Sequence, residues 1–74
     1  IAALDILDEV EAVMEYERFI SSDSPRLSEL LVRLEAMFRS ARAIVEERPA
    51  TAAAVANDIL LQLHQLAMAR SDVF

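Results

Sequence analysis

LSELLVRLEAMFRSARAIV, residues 27–45, is the stretch whose pattern decides the fold class of this chain. Apolar residues recur every three or four positions and cover one face roughly 140° wide at ~100° per residue. These residues are Leu27, Leu30, Leu31, Leu34, Met37, Phe38, Ala41, Ile44 and Val45. Arg33, Glu35 and Arg39 lie off that face. The pattern predicts an amphipathic helix, with Leu34 near the centre of its buried side.

Helix boundary signals lie on both sides of this stretch. Ser24 is a favoured N-cap residue, and Pro25 suits the first helical position, where its missing N–H costs no hydrogen bond. Further on, Pro49 disfavours helical geometry at Arg48, and Thr51 can cap the third helix. We therefore predict one helical domain over residues 1–74, with helices at about residues 2–21, 25–47 and 51–72.

The outer two segments carry similar apolar faces. The face of the first segment comprises Ala3, Ile6, Leu7, Val10, Val13 and Met14. The face of the third comprises Val55, Ala56, Ile59, Leu60, Leu63 and Leu66. No segment alternates with a period of two, as a half-buried strand would. We expect an all-α protein: a three-helix up-down-up bundle, or a helical hairpin plus a helix that dimerisation completes.

The composition argues for association and against several enzyme classes. A chain of 74 residues buries only about 60% of its unfolded surface. Yet 55% of the residues are apolar and none is glycine, so self-association is the expected outlet for the surplus. Without glycine, phosphate-cradling loops, dinucleotide fingerprints and the G-x-S-x-G elbow are excluded. No cysteine is present, which excludes disulfides and thiolate metal sites.

Charge is distributed unevenly along the chain. The net charge is −6, and the first 23 residues hold seven acids against Arg18 alone, while the rest is balanced. An acidic first helix repels phosphate backbones and anionic lipid, so we expect neither nucleic acid nor membrane as a partner. Another helical or basic protein is an alternative partner. All seven cations are arginine, and alanine is abundant, which suggests a bacterial coding bias.

No secretory signal pattern or membrane-length apolar run is visible, so a cytoplasmic location is expected. The chain begins at Ile1 without an initiator methionine, which suggests a piece of a longer protein.

The third segment, NDILLQLHQLAMAR from Asn57 onward, supplies the candidate site. With the core face centred near Ile59 and Leu63, other apolar residues fall almost opposite. The candidate partner-binding residues on that side are Leu61, His64, Met68 and Asn57. A helix that is apolar on two sides is unusual on a monomer surface, so we predict that this second side meets a partner.

Metal and cofactor sites are not expected. Asp8, Glu11 and Glu15 form an acidic stripe that could bind Mg²⁺ or Ca²⁺, but a solvated helix face explains it more simply. Leu61 stands where a Glu-x-x-His metal motif ending at His64 would need its glutamate. We predict no catalytic residues, no metal and no cofactor.

One enzyme family provides an alternative. VANDILLQLHQLAMAR, residues 55–70, loosely resembles the second conserved helix of the all-α nucleotide pyrophosphohydrolases of the MazG and phosphoribosyl-ATP pyrophosphohydrolase type. The resemblance implies that Asp58 stands for the aspartate of a magnesium-binding Glu-x-x-Asp pair. Val55 then occupies the glutamate position, and no Glu-Glu-x-x-Glu cluster is present. We assign the chain to no family on this basis.

These observations favour a non-enzymatic protein–protein interaction or oligomerisation module, most simply a homodimer joined through the third helix. The alternative is a small helical chaperone or adaptor that covers an amphipathic helix of a partner protein. A magnesium-dependent hydrolase like the pyrophosphohydrolases is the third hypothesis. We also predict that Glu17 and Arg70 pair, partly exposed, at one mouth of the bundle.

Overall fold

The chain folds into three helices that pack against one another. The computed structural model describes the backbone of residues 2–20 and 24–73, and the side chains of residues 3–20 and 24–68. The helices are α1 (Ala2–Ile20), α2 (Pro25–Ile44) and α3 (Pro49–Val73). No strand occurs within these ranges. Each helix contacts both of the others within one chain, so the predicted all-α three-helix bundle is confirmed.

The start of α2 follows the predicted capping arrangement. Ser24 has an extended backbone, and its Oγ accepts a hydrogen bond from the Leu27 N–H at 3.4 Å. The Ser24 carbonyl accepts another from the Ser28 N–H at 2.9 Å, which begins the helical pattern. Pro25 occupies the first turn, as predicted. The Leu27 N–H, which a helix start would otherwise leave unpaired, is thereby satisfied.

The connection between α2 and α3 corrects two predicted boundaries. α2 ends at Ile44 and not at 47, and residues 45–47 form a turn that the Arg48 N–H closes onto the Ile44 carbonyl at 2.7 Å. α3 begins at Pro49, so Thr51 lies inside the helix and is not its cap. The physical reason is that the proline ring fixes φ near the helical value and needs no hydrogen-bond donor there. Position 21, the predicted end of the first helix, lies outside the described residues.

Contacts along the helices give their relative directions. Arg18 of α1 meets Glu35 of α2, and Asp8 of α1 meets Arg42 of α2, so these helices run antiparallel. Val13 of α1 shares a groove with residues 60–67 of α3, and Leu4 lies beside Pro49. α1 and α3 are therefore parallel, and the topology is up-down-up. The bundle measures 41 × 18 × 15 Å.

The core lies along the axis of this bundle. Its largest fully buried side chains are Leu7, Val10, Leu34, Ile59 and Leu63. The predicted apolar faces are all buried or half-buried; Ala52 is a buried residue that the pattern did not include. The buried alanines of the described ranges lie toward the end where the α2–α3 turn meets the start of α1: Ala3, Ala41, Ala52 and Ala56. Larger core side chains fill the middle and the opposite end.

Candidate functional site

The outward side of α3 carries the four residues predicted to bind a partner. Ile59 and Leu63 face the core at 0% and 1% exposure. On the far side, Leu61 is 58% exposed and Met68 is 62% exposed. His64 and Asn57 are exposed as well. We call Asn57, Leu61, His64 and Met68 the α3 outer face; the structure brings all four to solvent along one line of the helix.

Spacing on this face follows a seven-residue repeat. The four positions are separated by four, three and four residues, the spacing of the seam in a coiled coil. Ala50 and Ala54 extend the same line toward the start of α3, and both are exposed. Leucine and methionine therefore alternate with asparagine and histidine, after two small residues. Such a line suits the close approach of another helix.

His64 also stands at the rim of a groove between α1 and α3. The groove has a volume of about 310 Å³. Glu9, Val13 and Glu17 line it from α1, opposite Leu60, Leu63, His64 and Ala67 of α3. From the sequence His64 lacked a nearby carboxylate, but the parallel packing of α1 and α3 places two on the facing wall. No group of three His, Asp or Glu side chains able to hold a metal ion occurs in the described part of the chain.

Glu17 departs from its predicted exposure. It continues the buried line of α1 after Val10 and Met14, and it is only 3% exposed. The prediction of a partly exposed carboxylate is therefore wrong, because α3 covers this part of the α1 face. The side chain of Arg70, its predicted partner, lies outside the described residues.

The acidic stripe of α1 faces arginines of α2. The Asp8 carboxylate lies 4.0 Å from the Arg42 guanidinium, and Arg18 Nη2 donates a hydrogen bond to Glu35 Oε2. Glu11 and Glu15 line a second groove together with Arg18 and Arg39. Within the stripe, the guanidinium of Arg42 therefore lies beside the carboxylate of Asp8.

Asp58, the residue implied by the pyrophosphohydrolase resemblance, is exposed on α3. Its Oδ2 accepts a hydrogen bond from Gln62 Nε2 of the same helix at 3.2 Å. Val55, at the glutamate position of the motif, is half-buried against the core. The structure thus gives Asp58 a polar neighbour one turn away on its own helix.

Sequence reasoning missed an aromatic surface at the end of α1. Tyr16 and Phe19 are 62% and 81% exposed, and Ile20 beside them is 36% exposed. We call these three residues the Tyr16–Phe19 patch. The signal was present, since spacings of three and four residues place them together on one side of a helix. These residues lie away from the line that continues Leu7 and Val10, so the search for a buried face does not include them.

Among the described residues, no helix combines the length and hydropathy that a membrane crossing requires.

Comparison with known proteins gives a family assignment. No curated protein and no solved structure matches the chain significantly. The family model described as SCO2524-like matches residues 1–74. Because that match spans the whole sequence, the chain belongs to the SCO2524-like family.

Proposed function

We propose that this chain is a helical protein–protein interaction module that forms a homodimer through the α3 outer face. The observation that carries the proposal is the exposure of Leu61 and Met68, at 58% and 62%, on the side of α3 opposite its buried residues. Burying such a side chain fully stabilises an assembly by roughly 1.5–3 kcal/mol relative to leaving it in water. The methionine thioether adapts well to a neighbouring surface.

The seven-residue spacing supports a helix as the matching surface. In a two-fold dimer the same face of each chain meets its copy, so one set of residues supplies both sides. Leu61 and Met68 would pack as apolar layers, with Asn57 and His64 between them as polar layers that fix the register. Ala50 and Ala54 allow the two helices to approach closely at one end.

A second candidate function is an adaptor that accepts an amphipathic helix of another protein on the same face. The polar layers at Asn57 and His64 favour it, because polar groups at such positions reduce the stability of a symmetric pair. A partner that offers a hydrogen-bonding group to each of them would satisfy both. The cytoplasm of a bacterial cell is the proposed setting for either function.

Molecular mass in solution tests the dimer. The variant Leu61→Glu/Met68→Glu places two charges in the proposed contact. Its matched control is Ala36→Glu/Ala43→Glu, which adds the same charges at the same spacing on the exposed side of α2. Light scattering after size exclusion should give a dimer for the parent and the control, and a monomer for the α3 variant. Circular dichroism should show that all three are equally helical.

Two outcomes contradict the proposal. If the α3 variant keeps the mass of the parent, the contact lies elsewhere. If the parent is monomeric throughout the accessible concentration range, self-association is wrong and the adaptor becomes the leading function.

A further inference from the structure

The Tyr16–Phe19 patch is an apolar surface that the bundle does not use. The buried line of α1 runs through Leu7, Val10 and Met14. Tyr16 and Phe19 lie on the other side of the helix, and each is more than half exposed. With Ile20 one turn beyond Tyr16, they form one contiguous surface. Of the three aromatic residues whose side chains the structure describes, Phe38 is buried, and the other two, Tyr16 and Phe19, lie exposed on this one site.

Among the described residues of α1, the charge around the patch is negative. Glu15 lies one turn before Phe19, and Glu9 lies two turns before Tyr16 on the same side of α1. The exposed acidic residues of α1 are Asp5, Asp8, Glu9, Glu11 and Glu15. Within the described part of α1 the only cation is Arg18, which is held toward α2 by its hydrogen bond to Glu35. The rings are therefore bordered by carboxylates, and the cation of the same helix is directed away from them.

We infer that the Tyr16–Phe19 patch docks a cationic amphipathic helix of another protein. Arginine or lysine side chains of that helix lie over the Tyr16 and Phe19 rings, where the ring faces attract cations. The same cations pair with Glu9 and Glu15, and apolar residues of the helix cover Ile20. Arginine is favoured because its planar guanidinium stacks on a ring while binding a carboxylate.

Charge also excludes other occupants. A second copy of the chain would bring two acidic α1 faces together, and like charges across a contact oppose binding. Nucleic acid and anionic lipid are repelled for the same reason. This docking lies beyond the proposed function: it uses α1 in place of α3, and it holds whether or not the chain forms a dimer.

The patch contains its own spectroscopic probe. The chain has one tyrosine and no tryptophan, so tyrosine fluorescence reports on Tyr16 alone. The ligand for the test is a synthetic helical peptide of about 16 residues, without Tyr or Trp, with leucine on one face and arginine on the other. A second peptide with glutamate replacing every arginine is the ligand control. We expect saturable quenching or enhancement of Tyr16 emission with the first peptide only.

Two pairs of variants locate the binding. Phe19→Ser removes a ring, and Val32→Ser is its control, because Val32 is also 62% exposed but lies on α2. Glu9→Gln/Glu15→Gln removes two charges beside the patch, and Glu29→Gln/Glu46→Gln removes two exposed charges elsewhere. Each patch variant should raise Kd for the arginine peptide by about tenfold, and each control by less than about twofold. Binding should also weaken as salt is added.

The outcomes separate the alternatives. Equal Kd values for patch and control variants would show that the peptide binds only through net charge and would overturn the inference. So would equal binding of the glutamate peptide. If Tyr16 emission changes with protein concentration alone and Phe19→Ser abolishes that change, the occupant is a second copy and the basic partner is wrong.

Discussion

Arg18 of α1 and Glu35 of α2 are joined by a hydrogen bond from Nη2 to Oε2, which ties the end of the first helix to the middle of the second. Their side chains are 56% and 25% exposed. Water and salt screen such a pair, so it fixes the relative position of the helices more than it stabilises them.

The variant Arg18→Gln should lower the free energy of unfolding by only ~0–1 kcal/mol, because the pair is partly exposed. A double-mutant cycle with Glu35→Gln, measured by urea denaturation at low and high salt, isolates the pair. A coupling energy well above this range, or one that salt does not reduce, would contradict the assignment as a surface pair.

The variant Leu34→Ala should destabilise the bundle by ~2–5 kcal/mol, because Leu34 is fully buried at the centre of the α2 face. The matched control is Val32→Ala, two positions earlier on the exposed side, which should change stability by less than ~0.5 kcal/mol. Chemical denaturation followed by circular dichroism measures both. A loss below about 0.5 kcal/mol for Leu34→Ala would mean that α2 packs differently.

The variant Ser24→Ala should cost ~0.5–2 kcal/mol, because it removes the side-chain oxygen that accepts the Leu27 N–H. Ser40→Ala is the control: Ser40 is exposed inside α2, where alanine is the better helix former, so this change should be neutral or slightly stabilising. The midpoint temperature of thermal unfolding should fall for Ser24→Ala, and it should stay the same or rise for Ser40→Ala. Equal shifts would show that the cap contributes nothing.

The variant Ala56→Leu should destabilise the bundle by ~1–3 kcal/mol, because Ala56 is fully buried and three extra carbons would have to be accommodated inside the core. Ala43→Leu makes the same change at an exposed position of α2 and should be nearly neutral. Urea denaturation gives the free energy of unfolding of both variants. A stable Ala56→Leu protein would indicate unfilled space at this level of the bundle.

The variant His64→Leu should strengthen the proposed dimer, because an apolar side chain replaces one polar layer of the α3 seam. His64→Glu should weaken it, since the change brings like charges together across a two-fold axis. Sedimentation equilibrium gives both dissociation constants. If neither substitution changes the dissociation constant, His64 does not lie between the chains.

Local spacing was sufficient to predict the buried side of each helix. Leu7, Leu34 and Ile59 are where the repeat of three and four residues places them, because burial of an apolar stripe dominates helix packing. The cap at Ser24 was equally predictable, since it involves neighbours in the sequence. The start of α3 at Pro49 differs from the predicted start at residue 51, because a proline both disfavours helix at the residue before it and suits the first turn of the helix that follows.

Relationships between helices were beyond the sequence pattern. The burial of Glu17 depends on how far α3 covers α1. The hydrogen bond between Arg18 and Glu35 depends on how far α1 and α2 are shifted along each other. Neither quantity is encoded in the spacing along one helix. The exposure of Leu61 and Met68 follows from the repeat in α3. The exposure of Tyr16 and Phe19 becomes clear only from the packed bundle, in which the core does not bury them.

The buried alanines at one end of the bundle have a consequence for how the protein opens. Ala3, Ala41, Ala52 and Ala56 remove little apolar area from water, so the helices there are joined by less burial energy than at Leu34 and Leu63. Amide protons near this end should exchange with solvent through local separation of the helices, while those around Leu34 should exchange only on global unfolding. The bundle would then open first at the end that contains these alanines, which is also the end where the α2–α3 turn lies.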